Sequence, residues 1–112
     1  MNIIISALEA DLESPICERF GRAPYFLSVD TETMAWEAHA NQATMRAGGA
    51  GVAAAQFVID QKVEAVISGD FGPNAAGALR AATIAMYLFN DDTKTVNQAV
   101  ELFKENKLAN FA

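Results

Sequence analysis

The chain has 112 residues, with 8 Lys and Arg against 14 Asp and Glu, for a formal charge of −6 at neutral pH. Apolar residues make up 52% and charged residues 20%, a composition that argues for a single packed domain over 1–112 and against disorder. The acidic balance argues against a nucleic-acid or anionic-membrane binder, because phosphate affinity comes from Lys and Arg, and the single cysteine, Cys17, rules out an internal disulfide.

Residues 2–6, Asn-Ile-Ile-Ile-Ser, form a β-branched apolar run of the kind found in a strand buried on both faces. The run is too short for a signal peptide and has no basic residue before it, and nothing approaches the roughly 18 apolar residues of a membrane span, so a cytoplasmic location is expected. A polar, irregular stretch carries Cys17, two prolines and one glycine to position 24. Residues 25–30 read as a second strand and 34–40 as a third, joined by the turn Thr31-Glu32-Thr33. On the third strand Trp36, Ala38 and Ala40 alternate with Glu37 and His39, predicting an edge strand with one apolar and one wet face. Glycines at 48, 49 and 51 lead into a helical run ending near Lys62. A fourth strand spans 63–68, and Gly69-Asp70-Phe71-Gly72 breaks it. Pro73, suited to a first helical position, opens a helix through Ala82. Residues 84–88 read as a fifth strand, and Asp91-Asp92-Thr93 reads as capping chemistry before a last helix from Thr95 to about Asn106. The order β-β-β-α-β-α-β-α calls for a mixed five-stranded α/β sheet with the second strand antiparallel and three helices.

If strands one, three, four and five run parallel, loops 7–24, 41–51, 69–73 and 89–95 gather at one end of the sheet, where ligands of open α/β sheets bind. Three of the four arginines, Arg19, Arg22 and Arg46, fall in these loops. Their planar donor forks suit anions, as do the first amides of helices that open after glycines. Seven acidic residues share the same end, so ion pairing competes with that role. The 47–51 segment lacks the Gly-Lys-Ser/Thr ending of a phosphate loop. Cys17 and His39, with Met45 as a thioether, are the available soft or borderline metal ligands. They are too few for a closed zinc site but sufficient to hold an exogenous metal–sulfide cluster at one or two points. His39, beside Glu37 on the wet face, reads as a surface histidine. No G-x-S-x-G elbow occurs. The strand order resembles that of a ribonuclease H fold, but the first strand carries none of the carboxylates a two-metal nuclease needs.

Three segments together resemble a known family: Ser14-Pro15 followed by Arg19-Phe20-Gly21-Arg22-Ala23-Pro24-Tyr25-Phe26, then Gly48-Gly49-Ala50-Gly51, then Gly69-Asp70-Phe71-Gly72-Pro73-Asn74-Ala75. In this order they are similar to the dinitrogenase iron–molybdenum cofactor biosynthesis family. The resemblance implies a ribonuclease H-like α/β layer. It also implies a non-enzymatic protein that carries an iron–molybdenum cofactor precursor, or a related metal–sulfide cluster, between cofactor-assembly or cluster-handling proteins. Many members have a histidine directly before Phe-Gly-Arg; here that residue is Arg19, and Cys17 is the candidate substitute. The expected site therefore comprises Cys17 as ligand, Arg19, Arg22 and Arg46 as charge partners, and the backbone around Gly48, Gly49, Gly51, Gly72 and Asn74 as donors. Two competing readings are a cluster-free interaction or regulatory module and a small anion or phosphate binder on the same loops.

Overall fold

Ile3, Ile4 and Ile5 are all fully buried, which requires their strand to be covered on both faces. In the computed structural model, which describes residues 1–45 and 48–111, that strand is β1 (Asn2–Ala7), in the interior of one sheet. β1 pairs antiparallel with β2 (Tyr25–Asp30) and parallel with β4 (Ala65–Ser68). β2 pairs antiparallel with the outer strand β3 (Trp36–Ala40), and β4 pairs parallel with β5 (Ala85–Leu88). The predicted antiparallel second strand and parallel remainder are therefore found.

The sheet has six strands, not the expected five. β6 (Ala109–Asn110) adds antiparallel to β5, giving the order β3-β2-β1-β4-β5-β6. Two residues are too short to show a period. The segment is held instead by Leu108, which is buried, and by the Phe111 N–H donating to the Met86 carbonyl at 2.9 Å.

The helices α1 (Ala50–Asp60) and α2 (Pro73–Ala81) cover one face of the sheet. There Ala54, Ala55, Val58 and Leu79 pack on Ile4, Phe26, Val66 and Met86. The small alanines let the helix backbones lie close to the strands and to each other. The helix α3 (Val96–Lys104) covers the other face, where Val96, Ala99 and Val100 pack on Ile3, Ile5 and Ile67. α3 closes its own N-terminus with a capping box. The Gln98 N–H donates to Thr95 Oγ1 at 3.2 Å, and the Thr95 N–H donates to Gln98 Oε1 at 3.2 Å. Among the described residues, no helix is long and apolar enough to cross a membrane.

The β2–β3 hairpin connection is longer than the sequence suggests. Met34 takes a left-handed φ of 63° and donates its N–H to the Asp30 carbonyl, so β3 starts at Trp36 rather than at 34. The Asp30 carboxylate accepts the Glu32 N–H at 2.9 Å and the Thr33 N–H at 3.5 Å. The Glu32 hydrogen bond, helped by Thr33 and the N-terminal ammonium, holds its pKa below the usual aspartate value against partial desolvation. A depressed native pKa contributes stability above the unfolded value, about 3.9, and that contribution is lost as pH falls through the native value. Urea unfolding from pH 6 to pH 2 is expected to show wild type losing stability more steeply than Asp30→Asn once below the unfolded value. Parallel profiles would remove Asp30 as the cause.

Candidate functional site

The parallel register points the C-terminal ends of β1, β3, β4 and β5 to one rim, and the loop after β1 crosses that rim under tight hydrogen bonding. The Cys17 N–H donates to the Ser6 carbonyl at 3.0 Å, and Ser6 Oγ donates back to the Cys17 carbonyl at 2.6 Å. Ser6 Oγ also lies 2.8 Å from Ser68 Oγ, and both serines are fully buried. These two hydroxyls lie among apolar strand residues and satisfy each other, which is how polar groups are tolerated in a core. Further on, Arg19 bridges to Asp70 and the Phe20 N–H donates to the Asp70 carbonyl at 3.0 Å, so this part of the loop lies against the chain leaving β4.

The chain then makes a 3-10 turn, Phe20–Arg22, against the start of α1. A Cβ on Gly21 would lie 3.0 Å from Gly51 Cα and 3.1 Å from its nitrogen, so glycine lets the two backbones meet without either shifting. The buried Asn41 fastens this turn to the next. Its Nδ2 donates to the Ala23 carbonyl at 2.8 Å and to that of Gly21 at 3.4 Å, while its Oδ1 accepts the Ala43 N–H at 3.0 Å. Phe20 and Phe71, with ring centroids 5.3 Å apart, form the apolar floor. Above it lies a cleft of about 220 Å³ lined by Arg19, Arg22, Gly51, Asp70, Phe71 and Gly72, among others.

Two helix N-termini bound this cleft. Gly49 precedes α1 at φ 72°, Gly72 precedes α2 at φ 72°, and neither helix has a side-chain cap. No side chain caps either helix, in contrast to α3, and Ala50 and Gly51 of α1 and Gly72 just before α2 line the cleft at these positive dipole ends. Two glycines at positive φ are needed here because a Cβ in that conformation is strained. Asp70 adds the opposite charge, its Oδ1 accepting the Gly72 N–H at 3.1 Å. The exposed Arg19 forms no ion pair among the described residues, whereas Arg22 Nη1 donates to the Thr44 carbonyl at 3.5 Å.

Of the residues expected at the site, Arg19, Arg22, Gly51 and Gly72 line the cleft together. Gly48, Gly49 and Asn74 flank it at the two helix starts. Cys17 does not line it. Its half-buried thiol is 3.7 Å from the Arg19 carbonyl, one step back along the same loop. Arg46 lies outside the described residues, as does the side chain of Met45. His39 is elsewhere, lining a separate cavity with Asn41 and Phe57. The face of β3 predicted to be wet is covered by α1 at His39 and open at Glu37, which is 78% exposed. His39 is 21% exposed, stacks at 5.4 Å on Phe57 and hydrogen-bonds Ser28 at 3.1 Å, while Trp36 of the supposed apolar face is 40% exposed. Alternation on an edge strand separates two faces but does not show how far along each one a helix reaches. Sequence reasoning also missed Ser6, Ser68 and Asn41, whose role in fixing the rim has no local signature.

Among the described residues, no group of three or more His, Cys, Asp or Glu side chains could hold a metal ion. The arrangement instead offers backbone N–H groups and guanidinium donors over an aromatic floor, with one thiol nearby. Its volume is below the roughly 300–1,000 Å³ usual for organic ligands, which favours a compact inorganic anion over a nucleotide.

Fold and site thus define an α/β domain with a small donor-lined cleft at its parallel strand ends. The chain belongs to the dinitrogenase iron-molybdenum cofactor family, whose profile matches residues 1–106. Among solved structures, the apo form of the orange protein from Desulfovibrio gigas is 34% identical, covering 99% of this chain and 92% of its own, with a TM-score of 0.93. The NMR structure of a Thermotoga protein named after NifB is 33% identical, covering 97% and 91%, with a TM-score of 0.83. A Methanocaldococcus jannaschii protein at 18% identity and a TM-score of 0.75, covering 100% and 95%, shares the fold. No curated protein matches.

Proposed function

We propose that this chain is a non-enzymatic binding and carrier protein for an iron–molybdenum cofactor precursor or a related metal–sulfide cluster. It would take that cargo from one cytoplasmic cluster-handling protein and pass it to another. The observation that carries this reading is the convergence of two uncapped helix N-termini with Arg19 and Arg22 on one small cleft. Metal–sulfide clusters of this type are anionic, and oriented backbone amides and arginines suit them. A carrier also gains from the scarcity of covalent ligands, since a closed thiolate cage would hold its cargo too firmly to release it. Cys17, next to the cleft along the same loop, supplies the single thiolate in this scheme. The family relationship and a relative solved in an apo form support a loaded state. We read the sheet as ribonuclease H-like, extended by β6.

Anaerobic reconstitution with iron, molybdate and sulfide, followed by desalting, metal analysis and visible absorption, tests the proposal. Wild type is expected to retain metal with sulfide-to-metal charge-transfer bands, and Cys17→Ala to retain several-fold less. Wild type that leaves the column free of metal would refute the carrier reading. Equal loading of both proteins would remove the thiolate from it.

A further inference from the structure

β3 is the outer strand of the sheet, and the hairpin decides which of its backbone groups are already used. The Asp30 N–H donates to the Ala35 carbonyl at 2.9 Å and the Asn41 N–H to the Pro24 carbonyl at 2.9 Å, bracketing the ladder that pairs Ser28 with Glu37 and Phe26 with His39. Antiparallel pairs alternate between hydrogen-bonded and non-hydrogen-bonded. Glu37 and His39 therefore turn their N–H and C=O inward to β2, while Trp36, Ala38 and Ala40 turn theirs outward. Edge strands are normally guarded by proline, lysine or a bulge. β3 has the sequence Trp-Glu-Ala-His-Ala and an unbroken register, so it has none of these.

We propose that β3 pairs antiparallel with β3 of a second copy of this chain, about a two-fold axis at Ala38. In this register Trp36 faces Ala40 of the second copy, Ala38 faces its own counterpart, and each pair uses outward-pointing groups, giving about six backbone hydrogen bonds. Glu37 then falls opposite His39 of the second copy at a non-hydrogen-bonded position, where side chains are closest and complementary pairs contribute most. The strand thus sets a carboxylate opposite an imidazole at both ends of the pairing. It is self-complementary in volume, because the exposed indole of Trp36 lies over the small side chains of Ala38 and Ala40. An axis at Glu37 or His39 would pair only Trp36 with Ala38, or Ala38 with Ala40, giving about four backbone hydrogen bonds, and would set two carboxylates or two imidazoles against each other. The two-fold relation points the C-terminal ends of the two β3 strands in opposite directions, so both clefts stay open.

A single strand edge is a small interface, below about 1,200 Å², and gives a reversible dimer. Sedimentation velocity on the full chain, from micromolar to about 1 mM, is expected to show mass rising toward the dimer with concentration. The emission of Trp36, the one tryptophan, should shift to the blue over the same range. Ala38→Pro removes the outward N–H at the axis and touches no bond to β2, so it should remain monomeric with wild-type circular dichroism. Glu37→Lys, at a residue 78% exposed, should weaken the dimer about 3-fold through loss of the cross-strand pair. It carries the test if the proline variant does not fold. A wild type still monomeric at the highest concentration, or a dimer that both variants leave intact, overturns the proposal.

Discussion

Gly69→Ala is expected to destabilise the protein by about 2 kcal/mol, within the 1–3 kcal/mol typical of overpacking a filled site. The urea midpoint should fall at unchanged slope, and the melting temperature by about 8 °C for a domain of this size. The reason is a contact between backbones. A Cβ at Gly69 would lie 2.8 Å from Glu18 Cα and from the Glu18 carbonyl oxygen, closer than real Cβ atoms approach. Neither side can yield cheaply. Gly69 follows β4 directly, and the segment around Glu18 is tied down by the Cys17–Ser6 and Phe20–Asp70 hydrogen bonds. Gly77 provides the contrast. It sits on α2 with open space where its Cβ would go, so Gly77→Ala should stabilise by about 0.5–1 kcal/mol through helix propensity. Equal effects from the two substitutions would show that the rim gives way more easily than its hydrogen bonding implies.

The second large effect concerns cargo. Reversing both cleft arginines, as Arg19→Glu with Arg22→Glu, is expected to weaken retention of the reconstituted cluster at least about 100-fold, since hydrogen bonds to charged groups contribute about 1.5–3 kcal/mol each. Both side chains are exposed and line the cleft, so the fold should tolerate the change, with circular dichroism and the urea midpoint near wild type. Retention by wild type should fall as salt is raised, because exposed charges are screened. The doubly reversed variant should show a much flatter salt dependence. Cluster retention by that variant equal to wild type, at low salt, would place the cargo elsewhere on the molecule.

Most of the sheet could be read from the sequence because its strands carry their own pattern. The Ile3–Ile5 run announces burial on both faces, and Pro73 after Gly72 announces a helix start. The gathering of the loops at one end follows from strand direction alone, and it correctly brings Arg19 and Arg22 to Gly51 and Gly72. What escaped depends on partners distant in the chain. β6 is recognisable only through the Met86 carbonyl it meets, and Asn41 only through the Gly21 and Ala23 carbonyls it binds. His39 reads as an open-face residue because its cover, Phe57, lies 18 positions later in the chain, on a helix.

The reciprocal bonds between Ser6 and Cys17 bear on how any guest would be received. A connecting segment clamped onto a buried strand by both its amide and its carbonyl behaves as part of the scaffold. Its amide should resist hydrogen exchange as strongly as those of the strand beneath, and open only when the whole domain does. Little ordering entropy is then left to be lost on docking, so arrival and departure can both be fast.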